Sequence, residues 1–262
     1  MIANYHTHTF RCHHAKGEDE EIVKNAIAAG LKTLGFADHA PYIYPDGYVS
    51  YYKMTPEESY DYFASLRGLA EKYRDQITIH IGYEAEYYPS LWEDTLEFWK
   101  TTNTPEYLLL GQHFIREEYP TENQVQSFVG SIGEAELETY VKTVVEGIET
   151  GKFTYLAHPD VINYTGGDLD FYREQMTKIV VAAKKINLPL ELNLLGIRGK
   201  RNYPTPAFWE MAAKYNPDVI LGSDAHSPFR VADKDEIVEA LRMADKYGLH
   251  VIEEIEFVNP FA

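Results

Sequence analysis

The sequence predicts an α/β fold: a single barrel of parallel strands, closed or nearly closed. Three observations carry that expectation. Strand-like and helix-like segments alternate from end to end, the pattern that builds a parallel sheet. About seven such βα units fit into 262 residues, a length that one barrel commonly uses. No linker-like break in composition, internal repeat or low-complexity tract divides the chain, so one domain over residues 1–262 is expected.

Ile2 to His8 reads as the first strand, and Glu18 to Ala29 as a helix stopped by Gly30. Thr33 to Ala37 is the second strand. Thr55 opens a helix running to about Tyr73, with Pro56 in its first turn and two glutamates behind it to meet the helix dipole. Ile77 to Glu86 is the third strand, Leu91 to Lys100 the next helix and Tyr107 to Gly111 the fourth strand. A polar loop from Arg116 to Gly133 is a candidate rim or lid, against the plainer reading of an insertion. A helix follows it through Glu149. Phe153 to Ala157, Leu190 to Leu194 and Val219 to Leu221 are strands five to seven. Helices at about Leu169 to Lys185, Pro206 to Lys214 and Lys234 to Lys246 separate and follow them, and His250 to Val258 is a candidate last strand.

Composition removes several function classes. Apolar residues make up 45% of the chain, too many for a disordered one. No stretch approaches the roughly 20 apolar residues of a membrane helix. The start, MIANYHTHTF, lacks the basic and apolar regions of a secretory signal. Cys12 is the single cysteine, which excludes an intramolecular disulfide and fits a reducing, cytoplasmic setting. The sequon Asn163-Tyr164-Thr165 is then read as chance. A formal charge of -17 speaks against a nucleic-acid partner. It leaves a small anionic substrate open, because divalent cations reverse the local sign inside an acidic protein. The acidic runs at 18–21 and 134–138 are read as solvated helix faces.

The chemistry gathers at strand ends. His6 and His8 close the first strand, Asp38-His39 the second, and Glu84 with Glu86 the third. His113 closes the fourth, His158 the fifth, and Asp224 with His226 the seventh. In a parallel α/β fold these ends form one surface. Each pair spaced i, i+2 places both side chains on one face of extended backbone. Imidazoles and carboxylates on one face are what a divalent transition-metal site requires. Any one of these residues is more simply a buried hydrogen-bonding group. Seven of the ten histidines falling at or just past strand ends argues for a site. His80, inside a strand, and His250, near the tail, are read as structural, and at most one of His13 and His14 points inward.

Tyr5-His6-Thr7-His8-Thr9, followed by Cys12-His13-His14-Ala15, resembles the opening motif of the polymerase and histidinol phosphatase (PHP) superfamily. Phe36-Ala37-Asp38-His39, Gly82-Tyr83-Glu84, Gly111-Gln112-His113-Phe114, Ala157-His158-Pro159 and Gly222-Ser223-Asp224-Ala225-His226 resemble its later motifs, in the family's order. The length, the opening and the GQHF element look most like the stand-alone histidinol-phosphate phosphatases of histidine biosynthesis.

The resemblance implies a distorted TIM-like barrel of seven strands holding three divalent ions (Zn, Mn or Fe). Carried over by motif, one ion would take His6, His8, Glu84 and Asp224. A second would take Glu84, His113 and His158, with Glu84 bridging, and the third His14, His39 and His226. Nine ligands are too many for one ion with an open position, and suit two or three ions.

Such a site suits phosphoester hydrolysis, with Asp224 and His226 as candidate proton-handling groups. Arg198, Lys200 and Arg201 in LGIRGKR, beyond the one strand end without an evident ligand, are candidates to hold phosphate, and Arg116 is a weaker one. Tyr42 and Tyr44 are candidates to flank an aromatic ring, and Glu86 or Asp160 to meet an ammonium. With 21 tyrosines in the chain, structural placement is the better guess for any one of them. The expected reaction is hydrolysis of L-histidinol phosphate, a small phosphorylated substrate. The alternatives are a broader phosphoesterase acting on phosphotyrosine or nucleotides, and a metal-binding domain without catalysis.

Overall fold

The computed structural model describes residues 1–262, the side chain of Asn123 excepted. Its strands are β1 (Ala3–Asn4), β2 (Thr33–His39), β3 (Thr78–Ala85), β4 (Leu108–Leu110), β5 (Tyr155–Leu156), β6 (Leu190–Asn193), β7 (Asp218–Gly222) and β8 (His250–Ile252). All are parallel and pair in strict sequence order. Each is linked to the next by helix, the right-handed repeat of an α/β barrel. The helices are α1 (Asp19–Ala29), α2 (Glu58–Tyr73), α3 (Trp92–Thr102), α4 (Glu134–Glu149), α5 (Leu169–Lys185), α6 (Leu194–Gly199), α7 (Pro206–Ala212) and α8 (Lys234–Tyr247).

The ring closes unevenly. At the C-terminal rim the chain beyond β1 meets the chain beyond β7. There the His8 N–H donates to Ala225 O at 3.0 Å and the Ala225 N–H to His6 O at 3.3 Å. At the other end β8 pairs with the start of β7, Asp218 beside His250. The expected last strand therefore stops at Ile252. Phe257, further along that tail, stacks on Tyr107 with ring centroids 4.6 Å apart and plugs the bottom of the barrel.

The barrel interior is filled by Tyr5, Ala37, Tyr107, Leu109, Tyr155 and their neighbours, and a larger apolar layer joins the strands to the helices. The Tyr107 hydroxyl crosses the interior to Tyr5 O (2.8 Å) and Phe36 O (3.1 Å). Gly35 and Gly82 leave room for that ring, since a Cβ at either position would collide with it.

Local signals set the helix ends. Thr55 and Glu58 bond reciprocally, at 2.7 and 3.2 Å, so α2 starts three residues after the threonine that signalled it. Asp168 and Asp233 cap α5 and α8 through their side chains. The segment after β6, given no element by the sequence, is the short helix α6, capped by Asn193 on the Gly196 N–H at 3.0 Å. Six residues with two glycines leave no period to read. The loop at 116–133 folds back on the end of β4, with the Ile115 N–H on Val125 O (2.8 Å) and the Ser127 N–H on His113 O (2.7 Å). Among the described residues no helix is long and apolar enough to cross a membrane.

Candidate metal centre

The C-terminal rim brings all nine sequence-derived candidates together. His6 Nε2 and His8 Nε2 lie 3.2 Å apart. His6 Nε2 is 3.5 Å from Glu84 Oε2 and 3.8 Å from Asp224 Oδ1, and His8 Nε2 is 3.5 and 3.2 Å from the same two oxygens. Four donors on a tetrahedron of roughly 2.0–2.1 Å bonds stand about 3.3–3.4 Å apart, so these spacings match one divalent ion.

The hydrogen bonds behind the rings fix their tautomers. His6 Nδ1 meets Glu191 Oε1 at 2.7 Å and His8 Nδ1 meets Asp38 Oδ1 at 3.1 Å. With each Nδ1–H donated backward, both Nε2 lone pairs face forward onto each other. That contact is repulsive unless a proton or a metal cation lies between them, and the carboxylate behind each ring is the usual support of a ligating histidine. Glu84 Oε2 and Asp224 Oδ1 are buried and complete no hydrogen bond, a rare condition for a native polar atom.

Charge leads to the same place. Asp38, Glu84, Glu191 and Asp224 are buried, and among the described residues no lysine or arginine pairs with any of them. Burial pushes the His6 imidazole down, but Glu191, Asp224 and Glu84 raise it well above its ordinary range. His8 is raised likewise against burial, by Asp224 and Asp38. Without an ion, these two rings must hold protons to offset the carboxylates; a divalent cation replaces them.

A second cluster has the same logic. His14 Nδ1 bonds Cys12 O at 2.7 Å, and His226 Nδ1 bonds Asp224 O at 3.1 Å. Their Nε2 atoms then face each other at 3.0 Å, with a His39 nitrogen within 4.8 Å of both. Burial, then His226 and His8, push His14 down to about 4. Burial also lowers His39 and His226, so all three favour the neutral form a metal needs. On the far side of Glu84, His158 Nε2 is 2.8 Å and His113 Nε2 3.7 Å from Oε1. Glu84 therefore stands between the clusters. Gly111 is what admits it, since a Cβ there would overlap the carboxylate, and Gly222 does the same for Glu191.

Two backbone features sharpen this picture. His158 and Asp224 have φ of 27° and 44°, left-handed values that cost a non-glycine residue about 1–3 kcal/mol. The pleat therefore does not explain the Asp224/His226 spacing: a left-handed turn aims Asp224 inward. Glu191 and Asn193 are site residues that strand-end reasoning missed. Asn193 Nδ2 donates to Glu191 Oε2 (2.8 Å) and Asp224 Oδ2 (3.1 Å). The available signal was a glutamate inside the apolar run Leu190 to Leu194.

The centre floors a cavity of about 320 Å³, within the range of small-molecule sites. Its permanent cations, among the described residues, are Lys53 and Arg201. Arg201 bonds the Tyr203 hydroxyl at 3.1 Å. Arg198 turns away to Glu236 on α8 at 2.6 Å, while Lys200 and Arg116 are exposed and off the cavity wall. Gln126 and Phe128 from the 116–133 loop form part of the rim. His13 faces Glu58 at 3.4 Å, His80 meets Glu106 and His250 meets Asp218, both at 2.7 Å, all away from the centre. Tyr42 and Tyr44 spend their hydroxyls on Glu86 O (2.6 Å) and Glu118 (2.7 Å) inside the core. Asp160 accepts from the Thr205 N–H at 2.5 Å, is raised to about 7 by burial, and lies off the cavity wall.

The chain is 28% identical over 243 residues to a probable histidinol-phosphatase of Deinococcus radiodurans, covering 88% of this chain and 90% of that one. Its fold is similar to the crystal structure of histidinol phosphate phosphatase from Lactococcus lactis complexed with zinc, L-histidinol and phosphate. That match has a TM-score of 0.73 and 18% identity, over 97% of each chain. A putative histidinol phosphatase of Listeria monocytogenes aligns with a TM-score of 0.65 and 22% identity, over 90% of this chain and 99% of that one. A family model for the PHP domain matches residues 4–194, well over half the sequence, and the chain belongs to the PHP domain family.

Proposed function

We propose that this chain is a metal-dependent phosphomonoesterase that converts L-histidinol phosphate and water to L-histidinol and phosphate. One observation carries the reading: two pairs of imidazole Nε2 atoms face each other, His6/His8 at 3.2 Å in the interior and His14/His226 at 3.0 Å on the wall of a small-molecule cavity, beside Glu84 and Asp224 oxygens without partners that line the same cavity. Three ions fit the donor set. His6, His8, Glu84 and Asp224 would hold the first, Glu84, His113 and His158 the second, and His14, His39 and His226 the third. Mixed imidazole and carboxylate donors suit Zn, Mn or Fe, and the Lactococcus relative was solved with zinc. Bound there, such ions lower the pKa of water and offset the charge that builds on phosphoryl oxygens.

The chain's own groups do the rest. Arg201, on the cavity wall, supplies a fork for the phosphate oxygens. Burial pushes Asp224 up, but His6, His226 and His8 hold it well below the carboxylate range, which suits a ligand better than an acid. His226 likewise suits a ligand better than an acid, since its Nδ1–H is spent on Asp224 O and its Nε2 faces His14. The substrate's identity is supported by the Deinococcus and Lactococcus relatives.

The test is kcat/KM for histidinol phosphate, a phosphotyrosine peptide and nucleotides after reconstitution with Zn, Mn or Fe. Histidinol phosphate should lead by about a hundredfold; a lead for either other class would move the chain to a broader phosphoesterase. Fewer than two tightly bound ions with no activity on any ester would make it a binding domain.

A further inference from the structure

Beside the histidines, the cavity wall carries one buried ammonium between two buried carboxylates. Lys53 Nζ lies 2.6 Å from Glu118 Oε2 and 3.2 Å from Glu86 Oε2. Lys53 is 3% exposed, Glu86 2% and Glu118 0%. Glu118 is further satisfied by the hydroxyls of Tyr44 (2.7 Å) and Tyr48 (3.1 Å). Glu86 Oε1 accepts from His113 Nδ1 at 3.1 Å. Glu86 Oε2 completes no hydrogen bond, although Lys53 Nζ lies 3.2 Å away.

Among the described residues, Lys53 is the one lysine or arginine within 4.0 Å of either carboxylate. Two carboxylates against one ammonium leave one negative charge uncompensated in a buried wall, where such a charge is costly. Lys53 and Glu86 both line the cavity. A lysine already facing two carboxylates has no positive charge to spare for a phosphate dianion, which leaves Arg201 as the free cation of this cavity among the described residues. The cavity is thus polarised. His113 marks the boundary, with Nδ1 on Glu86 and Nε2 3.7 Å from Glu84 Oε1, so one imidazole ring separates the two ends.

We propose that Glu86 recognises a cationic nitrogen a few bonds from the ester oxygen, so that the chain selects amine-bearing phosphomonoesters over neutral ones. The inference rests on the phosphomonoesterase reading. It names a class wider than histidinol phosphate: any ester with an ammonium two carbons from the ester oxygen should profit.

The experiment compares kcat/KM of the metal-loaded enzyme for 2-aminoethyl phosphate and propyl phosphate, which differ in shape by little and in charge by one. The wild type should favour the amine by roughly tenfold to a hundredfold, the range of a charge-assisted hydrogen bond. In Glu86→Gln, which keeps an oxygen for His113, that ratio should fall at least tenfold, chiefly through KM. A wild-type ratio near one, or a variant that loses both activities equally, would overturn the proposal. Competitive inhibition of the wild type by L-histidinol and by its deamino analogue gives a second readout independent of any variant. Equal inhibition would also overturn it. A strong amine preference without a lead for histidinol phosphate would leave this inference standing and remove the specific substrate.

Discussion

Glu191→Gln isolates the support behind the first metal position. Glu191 accepts from His6 Nδ1 at 2.7 Å, from the His158 N–H at 3.0 Å and from Asn193 Nδ2 at 2.8 Å. Glutamine can keep one oxygen for His6, but its amide then points donors at two groups that are themselves donors. The fixed charge that holds the His6 tautomer is also lost. Replacing the partner of a ligating histidine costs metal affinity about 10–100-fold, or about 1.4–2.7 kcal/mol. The assay is competition for metal with a graded chelator, read by elemental analysis, alongside kcat/KM at limiting and saturating metal. Affinity should fall by that factor, with activity largely recovered at saturating metal. Affinity within about twofold of wild type would refute the reasoning, because Glu191 would then not orient a ligand.

Gly111→Ala and Gly222→Ala should each lose bound metal, because the added methyl overlaps Glu84 or Glu191. Overpacking of this kind costs about 1–3 kcal/mol, and a metal content equal to wild type would contradict it. Arg201→Ala should lower kcat/KM for the phosphoester about 10–100-fold through loss of a charge-assisted contact. Arg198→Ala should change it less than about threefold, and steady-state kinetics separate the two. For pH the sign follows from His6 and His8. Their raised folded values mean that, in metal-free protein, their stabilisation is present at low pH and lost as pH rises through those values. His14, lowered to about 4, acts in the opposite sense and loses its contribution as pH falls from its ordinary value. Metal displaces the protons held by His6 and His8, so the gain in Tm on adding metal should grow with pH, and a gain independent of pH would contradict this.

Much of the fold was legible because alternating segments specify a parallel barrel and because the strand ends carried the unusual residues. The pleat accounts for His6 and His8, whose Nε2 atoms meet at 3.2 Å. It fails for Asp224, which reaches the centre from a left-handed residue that no alternation pattern reveals. The basic run after β6 read as one patch, but α6 disperses it. Arg198, on the helix, reaches Glu236, while Lys200 ends it in a left-handed turn (φ 47°) and faces solvent, and Arg201 beyond that turn lines the cavity. Lys53 was invisible for another reason: its partner Glu118 is 65 residues away, and nothing around it is periodic. Glu191 was visible in principle, as a charge within an apolar strand, and strand ends drew attention from it.

An anomalous difference map from crystals grown with metal and phosphate tests the central claim most directly. Peaks are expected among His6, His8, Glu84 and Asp224, among His14, His39 and His226, and among Glu84, His113 and His158, with phosphate beside them and near Arg201. A map without a peak between His6 Nε2 and His8 Nε2 would contradict it.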